Sequence, residues 1–225
     1  MFIGHFGLAL AAKRAAPLTS LGTLGAASLW LDLVWSALAL LGIERVRVVP
    51  GITAFSPLDF EHYPWTHSLL AVAAWAAALG LAYRARTRYR RGAWTVAVLA
   101  ISHWALDALA HRPDLPLAPG AAARVGLGLW DSVPATLAVE GTIFAAGVWS
   151  YASFTRPRNS AGSVGLWTLL GLLLLAYAGN VLGEPPPSAT AIGWVGLSTW
   201  LLVLWLAWAD RNREPRFPLA GVAPP

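Results

Sequence analysis

The amino-acid sequence predicts an all-α fold: a polytopic membrane helical bundle with six full spans and a short, half-inserted helix at the N-terminus. Two observations support this prediction. Of the 225 residues, 57% are hydrophobic and only 12% are charged, which is too little polar surface for a soluble domain. Several apolar runs also reach about 20 residues, the length that a helix needs to cross a hydrocarbon core about 30 Å thick.

The spans follow one another along the chain with clear breaks between them. Residues 1–12 are apolar, but at ~1.5 Å per residue they reach only about half-way across the membrane, so we expect a half-inserted helix. Pro17 and Ser20 then supply a break and a cap before the first full span. The full spans are expected at residues 21–41, 67–83, 93–110, 133–154, 164–182 and 192–209.

The chain is expected to form one integral membrane domain, residues 1–225, because it contains no tandem repeat. Residues 42–66 carry prolines and mixed charges and are predicted to form an ordered loop. Residues 121–209 hold additional spans, and residues 210–225 form a polar tail. The sequence has no cysteine, which excludes disulfides, thiolate metal sites and a cysteine nucleophile.

Basic residues set the expected orientation, because translocated loops are depleted in lysine and arginine. Of the 16 basic residues, twelve fall on alternate loops and four on the opposite loops. The twelve are expected to be cytoplasmic, and with them the C-terminal tail. The basic residues behind the net charge of +5 lie in short clusters between apolar runs. We interpret these clusters as topology determinants that contact anionic lipid. We therefore expect no nucleic-acid partner.

Ionisable side chains inside the predicted spans are the main functional signal, because they are costly in a membrane. In the stretch ISHWALDALAHRPD, His103 and Asp107 are four residues apart and share one helix face. When the spans are oriented by their basic loops, His103 and Asp107 are expected at the same membrane depth as Asp32, His67 and Glu140. An isolated pair such as His103 and Asp107 is typical of hydrogen bonding between spans, but five such residues at one depth favour a metal centre.

Nitrogen and oxygen ligands without sulfur favour a divalent metal, Zn²⁺ first, with Mn²⁺ or Fe²⁺ as alternatives. Glu140 is expected to be a sixth ligand or a general base. His62 and His111 are expected to act as a general acid or to bind substrate, although His62 also fits a solvated loop position and His111 a helix cap. His5 fits equally a ligand or an ordinary core imidazole. The predicted ligands are His5, Asp32, His67, His103, Asp107 and Glu140.

The motifs Gly4-His5, Asp32, His62-x4-His67-Ser68 and His103-x3-Asp107 resemble the bacterial membrane-bound metal-dependent hydrolases, a family that includes the LexA-regulated inner-membrane hydrolase. The resemblance covers about residues 1–120. It implies a bacterial inner-membrane location and a distant relation to zinc-dependent phospholipase C and P1 nuclease, and hence phosphoester hydrolysis. Where the family often has Asp-x-Asp-His, this chain has Asp32-Leu33-Val34-Trp35, so one acidic ligand and the following histidine are missing. The loss implies either fewer metal ions or replacement of the missing acidic ligand by Glu140.

The leading functional hypothesis is therefore a membrane-embedded hydrolase that acts from the outer leaflet on a phosphoester or lipid-like small molecule. A transporter or permease is the alternative, in which the same buried residues form an ion or proton path. A third hypothesis is a non-catalytic membrane protein whose metal ion is structural. Neither the substrate nor the oligomeric state follows from the sequence.

Overall fold

The computed structural model describes residues 1–217, and 68% of the chain is helical, which confirms the predicted helical class. The helices are α1 (Ile3–Ala15), α2 (Leu21–Ser28), α3 (Trp30–Leu40), α4 (Pro64–His67), α5 (Leu69–Thr87), α6 (Arg90–Ala110), α7 (Val133–Phe154), α8 (Ser160–Leu182) and α9 (Ala189–Arg211). The short strands are β1 (Arg45–Val48), β2 (Leu58–His62), β3 (Leu115–Pro116), β4 (Arg124–Val125), β5 (Thr155–Pro157) and β6 (Arg213–Pro215).

Five helices, α5 to α9, are long and apolar enough to cross a membrane, and α2 with α3 would make a sixth span if the pair is counted as one. These helices occupy the segments where the last five full spans were predicted. The segment predicted as the first full span differs, because it bends by 57° between α2 and α3. The bend falls at Leu29, directly after a serine in a segment rich in small residues, where helices commonly kink.

Helix α1 lies in the interior of the bundle, with residues of nearly every face buried. It packs most extensively against α7. A methyl group added at Gly147 would lie 2.1 Å from the carbonyl oxygen of Gly7, so the two backbones meet where neither residue has a side chain. This close contact fixes the position of His5 relative to the rest of the bundle.

The basic clusters meet at one end of the bundle, called here the basic end: residues 13–14, 84–91, 156–158 and 211–216. Lys13 donates a 2.7 Å hydrogen bond to Asp210, and Arg14 donates one of 3.0 Å to Ser153. Strand β6 pairs antiparallel with β5, and the buried Arg213 bonds Thr155 and Gly162. The first part of the predicted tail is thus ordered, while residues 218–225 lie outside the described part.

The opposite end is covered by polar structure that the sequence indicated only as an ordered loop. Strands β1 and β2 pair antiparallel, with Val46 opposite Phe60. Pro64 begins α4, and the Ser68 hydroxyl caps α5 by accepting a hydrogen bond from the Ala71 amide. This hairpin and cap hold His67 at the entrance to the bundle.

Candidate metal centre

Five of the six predicted ligands come together in the half of the bundle next to the β1–β2 hairpin. They come from four elements: His5 from α1, Asp32 from α3, His67 from α4, and His103 with Asp107 from α6. They form two overlapping groups that share His103, and the ligand atoms of each group lie within 4.8 Å of one another. Buried histidine and aspartate side chains so arranged can hold a metal ion.

Four distances between histidine and aspartate atoms are short enough for the paired atoms to share a metal ion. His67 Nε2 lies 3.5 Å from Asp32 Oδ1 and 3.6 Å from Asp107 Oδ2. His103 Nε2 lies 3.5 Å and 3.0 Å from the same two oxygens. Bonds of about 2.0–2.2 Å to a shared ion would place two ligand atoms roughly 3.3–3.6 Å apart in tetrahedral geometry, and these four distances are close to that spacing.

The orientation of the His103 ring supports the same interpretation. Its Nε2 atom is buried and lies close to two carboxylates, yet it makes no hydrogen bond of acceptable geometry within residues 1–217. A buried ring nitrogen without a partner is costly. A bound cation between the imidazole and the carboxylates would remove that cost.

The other carboxylate oxygen of Asp107, Oδ1, faces α1. His5 Nε2 lies 3.2 Å from Asp107 Oδ1, and the α-amino group of Met1 lies 2.5 Å from the same oxygen. The His5 ring stacks on His103 with centroids 3.8 Å apart and planes 2° from parallel. Asp107 therefore directs one oxygen to His5 and the other to His67 and His103.

The centre opens to the surface on one side. The side chains of His5, His67, His103 and Asp107 are at most 3% exposed, whereas the side chain of Asp32 is 41% exposed. Any small molecule that reaches the described centre without a structural change must therefore approach on the Asp32 side.

The bend in the first span orients two of the ligands. Ser28 is the last residue of α2, and the carbonyls at a helix end lack helical partners. Its carbonyl oxygen accepts a 2.7 Å hydrogen bond from His103 Nδ1, and its hydroxyl donates one of 2.8 Å to the His5 carbonyl. Ser28 thus positions the α6 ring and the α1 backbone together.

A buried carboxylate positions the third histidine. Glu44, at 1% exposure, accepts hydrogen bonds from the Trp65 and Thr66 amides and a 2.6 Å bond from the Thr66 hydroxyl. The Thr66 oxygen in turn accepts a 2.7 Å bond from His67 Nδ1, since the threonine proton is used on Glu44. This relay leaves the His67 Nε2 lone pair directed at the other ligands.

Glu140, predicted as a sixth ligand or a general base, occupies a different position. Its Oε2 atom accepts hydrogen bonds from the amides of Phe2 (2.8 Å) and Gly4 (3.2 Å), so it binds the N-terminal amides of α1. Its Oε1 atom is buried and has no hydrogen-bond partner in the described chain. A carboxylate at a helix N-terminus is favoured by the helix dipole, which accounts for this placement.

His62 and His111, predicted to act as a general acid or to bind substrate, also lie outside the two ligand groups. His62 is half-buried on β2, opposite Arg45. His111 follows α6, packs against Trp130 and lies 3.0 Å from Asp114. Neither histidine therefore belongs to the ligand groups that contain His103 and Asp107.

Asp114 organises a second polar cluster outside the bundle core. It accepts hydrogen bonds from Tyr63 (2.7 Å) and Arg112 (3.3 Å) in addition to its contact with His111. Burial alone would raise the pKa of Asp114, but the hydrogen bonds and the nearby His111 outweigh it and hold that pKa below its usual value. Burial and Asp114 together raise the pKa of Tyr63.

Sequence reasoning missed three residues that support the centre: Ser28, Glu44 and Thr66. Thr66 directly precedes His67, so its adjacency was a usable signal. Ser28 and Glu44 act through a helix bend and a loop, which the apolar pattern does not reveal. No protein-family model, curated protein or solved structure matches the chain.

Proposed function

We propose that the protein is a membrane-embedded, metal-dependent hydrolase that cleaves a phosphoester in a lipid or lipid-like substrate. The observation that supports this proposal most is the set of distances of 3.0–3.6 Å that join His67 and His103 to Asp32 and Asp107, in a centre whose exposed member among the described ligands is Asp32. The resemblance of the motifs in residues 1–120 to bacterial membrane-bound metal-dependent hydrolases points the same way.

Zn²⁺ is the ion we propose, because two imidazoles and two carboxylates without sulfur suit it. Such an ion supplies a Lewis acid for the phosphoryl oxygen and lowers the pKa of a water that it binds. His67 and His103 hold their Nε2 lone pairs toward it, because Thr66 and Ser28 bond the other ring nitrogens. If Asp32 held the ion through Oδ1, its other carboxylate oxygen would be left to accept a proton from an attacking water.

The membrane position follows from the basic end. We propose six spans, with α2 and α3 together forming the first, and the half-inserted α1 packed inside them. If the basic end is cytoplasmic, the centre lies in the outer half of a bacterial inner membrane, and the C-terminus is inside. A lipid of the outer leaflet then reaches Asp32 without crossing the membrane.

A transporter is the second candidate, and the bend at Leu29 favours it, because discontinuous helices often form ion sites in transporters. The surroundings of the centre disfavour it. Between the centre and the basic end, α2 and α6 pack through a buried apolar cluster of Leu24, Ala27, Val96 and Leu99. An ion path through the bundle would have to open that cluster.

Metal content together with phosphoesterase activity tests the hydrolase proposal. Protein purified in detergent is expected to retain close to one equivalent of zinc and to release phosphate or a phosphorylated headgroup from a phospholipid panel. Chelation should stop the reaction, and added Zn²⁺ should restore it. The variant Asp32→Asn should lose turnover, while His62→Gln, outside the ligand groups, should keep it.

The opposing outcomes are distinct. A protein that binds zinc and is stabilised by it, but cleaves no member of the panel, has a structural metal. Zinc-dependent ion flux in liposomes without cleavage would establish transport. Protein that carries no zinc and gains no stability from it contradicts the metal centre itself.

A further inference from the structure

A groove of about 690 Å³ lies between the last turn of α1 and the first half of α6, at the basic end and away from the metal centre. Its wall is apolar and is formed by Ala12, Ala15, Val98 and Leu99. Arg90 and Arg91 line its mouth. An apolar trough with a cationic mouth is suited to an amphiphile whose head is negatively charged.

The residues along α6 are ordered as a membrane interface requires. Arg90, Trp94 and Val98 are four residues apart, so they share one exposed face and rise about 6 Å at each step. Charge, aromatic ring and aliphatic side chain follow one another toward the bundle centre. Headgroup, interface and acyl-chain regions of a lipid leaflet follow one another in the same order.

The two mouth arginines differ from the other arginines of the same cluster. Arg84 and Arg86 lie in the last turn of α5, where the helix dipole favours a cation. Arg90 and Arg91 lie in the first turn of α6, which has no acidic residue, and there the dipole disfavours a cation. The ion pairs of the described chain are formed by other basic residues, so this pair lacks a protein anion.

We propose that this groove binds an anionic phospholipid of the leaflet at the basic end. The lipid phosphate lies between the guanidinium groups of Arg90 and Arg91, which can each donate two parallel hydrogen bonds. One acyl chain lies along the apolar wall beside Trp94. This site is independent of the proposed hydrolysis.

Lipid binding to the full chain tests the proposal. Purified protein is titrated with phosphatidylglycerol or phosphatidylcholine in detergent, and bound lipid is counted by native mass spectrometry. Replacing both mouth arginines, R90Q with R91Q, should weaken phosphatidylglycerol binding roughly 30-fold, at about five-fold for each arginine. Phosphatidylcholine binding should change little. The matched control, R84Q with R86Q, removes the same charge from the same cluster and should leave the tight site intact.

A second variant tests the apolar wall without changing charge. Val98→Trp fills the trough at an exposed position, so the fold is retained, and it should weaken phosphatidylglycerol binding several-fold. The proposal is overturned if R84Q with R86Q weakens binding as much as R90Q with R91Q, because lipid would then respond to the loop charge alone. It is also overturned if Val98→Trp has no effect, or if phosphatidylcholine binds as tightly as phosphatidylglycerol.

Discussion

His103 Nδ1 donates a 2.7 Å hydrogen bond to the Ser28 carbonyl, across the point where the first span bends. A carbonyl oxygen can only accept, so in the neutral imidazole this bond places the ring proton on Nδ1 and leaves the Nε2 lone pair for a metal. Asp107, on the same helix face, lies 3.0 Å from that nitrogen. One backbone contact thus selects the imidazole tautomer that the proposed centre needs.

The variant His103→Gln is expected to lose bound metal, because His103 belongs to both ligand groups. We expect the zinc content of the purified protein to fall at least ten-fold, as measured by elemental analysis. His62→Gln is the matched control, since that histidine lies on β2 outside both groups, and it should retain zinc. Equal zinc contents in the two variants would contradict the proposed ligand set.

The variant Glu44→Gln is expected to weaken metal binding without removing a ligand. Loss of the carboxylate weakens the hold on Thr66 and therefore on His67, and such outer-shell changes typically cost 10–100-fold in affinity. Zinc affinity measured by competition with a chelator checks this. Thr66→Val should act in the same way, and Thr66→Ser should restore binding. Glu61→Gln, which alters an exposed carboxylate on β2, should have no effect.

The variant Gly147→Ala is expected to push α1 away from α7. The new methyl group would lie 2.1 Å from the Gly7 carbonyl, and backbone cannot yield locally, so we expect a loss of about 1–3 kcal/mol in stability. Thermal unfolding in detergent measures it, and zinc affinity should fall as His5 moves. Gly141→Ala on the same helix meets nothing within 4 Å and should be neutral or slightly stabilising. A similar effect of both variants would show that the contact is not tight.

The variant Asp114→Asn is expected to destabilise the protein near neutral pH by about 2 kcal/mol, because it weakens hydrogen bonds to a charged acceptor. The folded pKa of Asp114 is below its unfolded value of about 3.9, so its carboxylate stabilises the fold above that pH. The contribution is lost as the pH falls through the folded pKa. The free energies of unfolding of the native protein and the Asp114→Asn variant should therefore converge in acid. A difference that stays constant down to pH 2 would contradict the lowered pKa of Asp114.

The long helices could be predicted from the sequence because their length and apolar composition are local properties. Segment 133–154 and α7 coincide, and α6, α8 and α9 extend the predicted spans by a few residues. Helix α5 begins two residues after its predicted start and ends four residues after its predicted end. The bend at Leu29 could not be predicted in this way. Its neighbours are as apolar as those of a straight span, and its cause includes contacts from Ser28 to two other helices.

Most of the ligands could be predicted because ionisable groups inside a membrane need partners, and depth placed Asp32, His67, His103 and Asp107 together. His5 was left open between a ligand and a core imidazole. Depth does not show which groups Glu140 contacts, since residues at one level can face different neighbours. The rotation of α7 and the start of α1 bring Glu140 to the amides of Phe2 and Gly4. Glu44 was missed because a loop carboxylate gives no periodic signal.

The tight contact between Gly7 and Gly147 also bears on the order of assembly during synthesis. His5 is among the first residues made, but the helix that holds it in place ends at Phe154, and Lys13 on α1 is held by Asp210 at the end of α9. The ligands on α3, α4 and α6 can meet as soon as α6 has inserted. His5 can also contact Ser28 and His103 at that stage, but the close packing that holds α1 in place must wait until α7 has been translated.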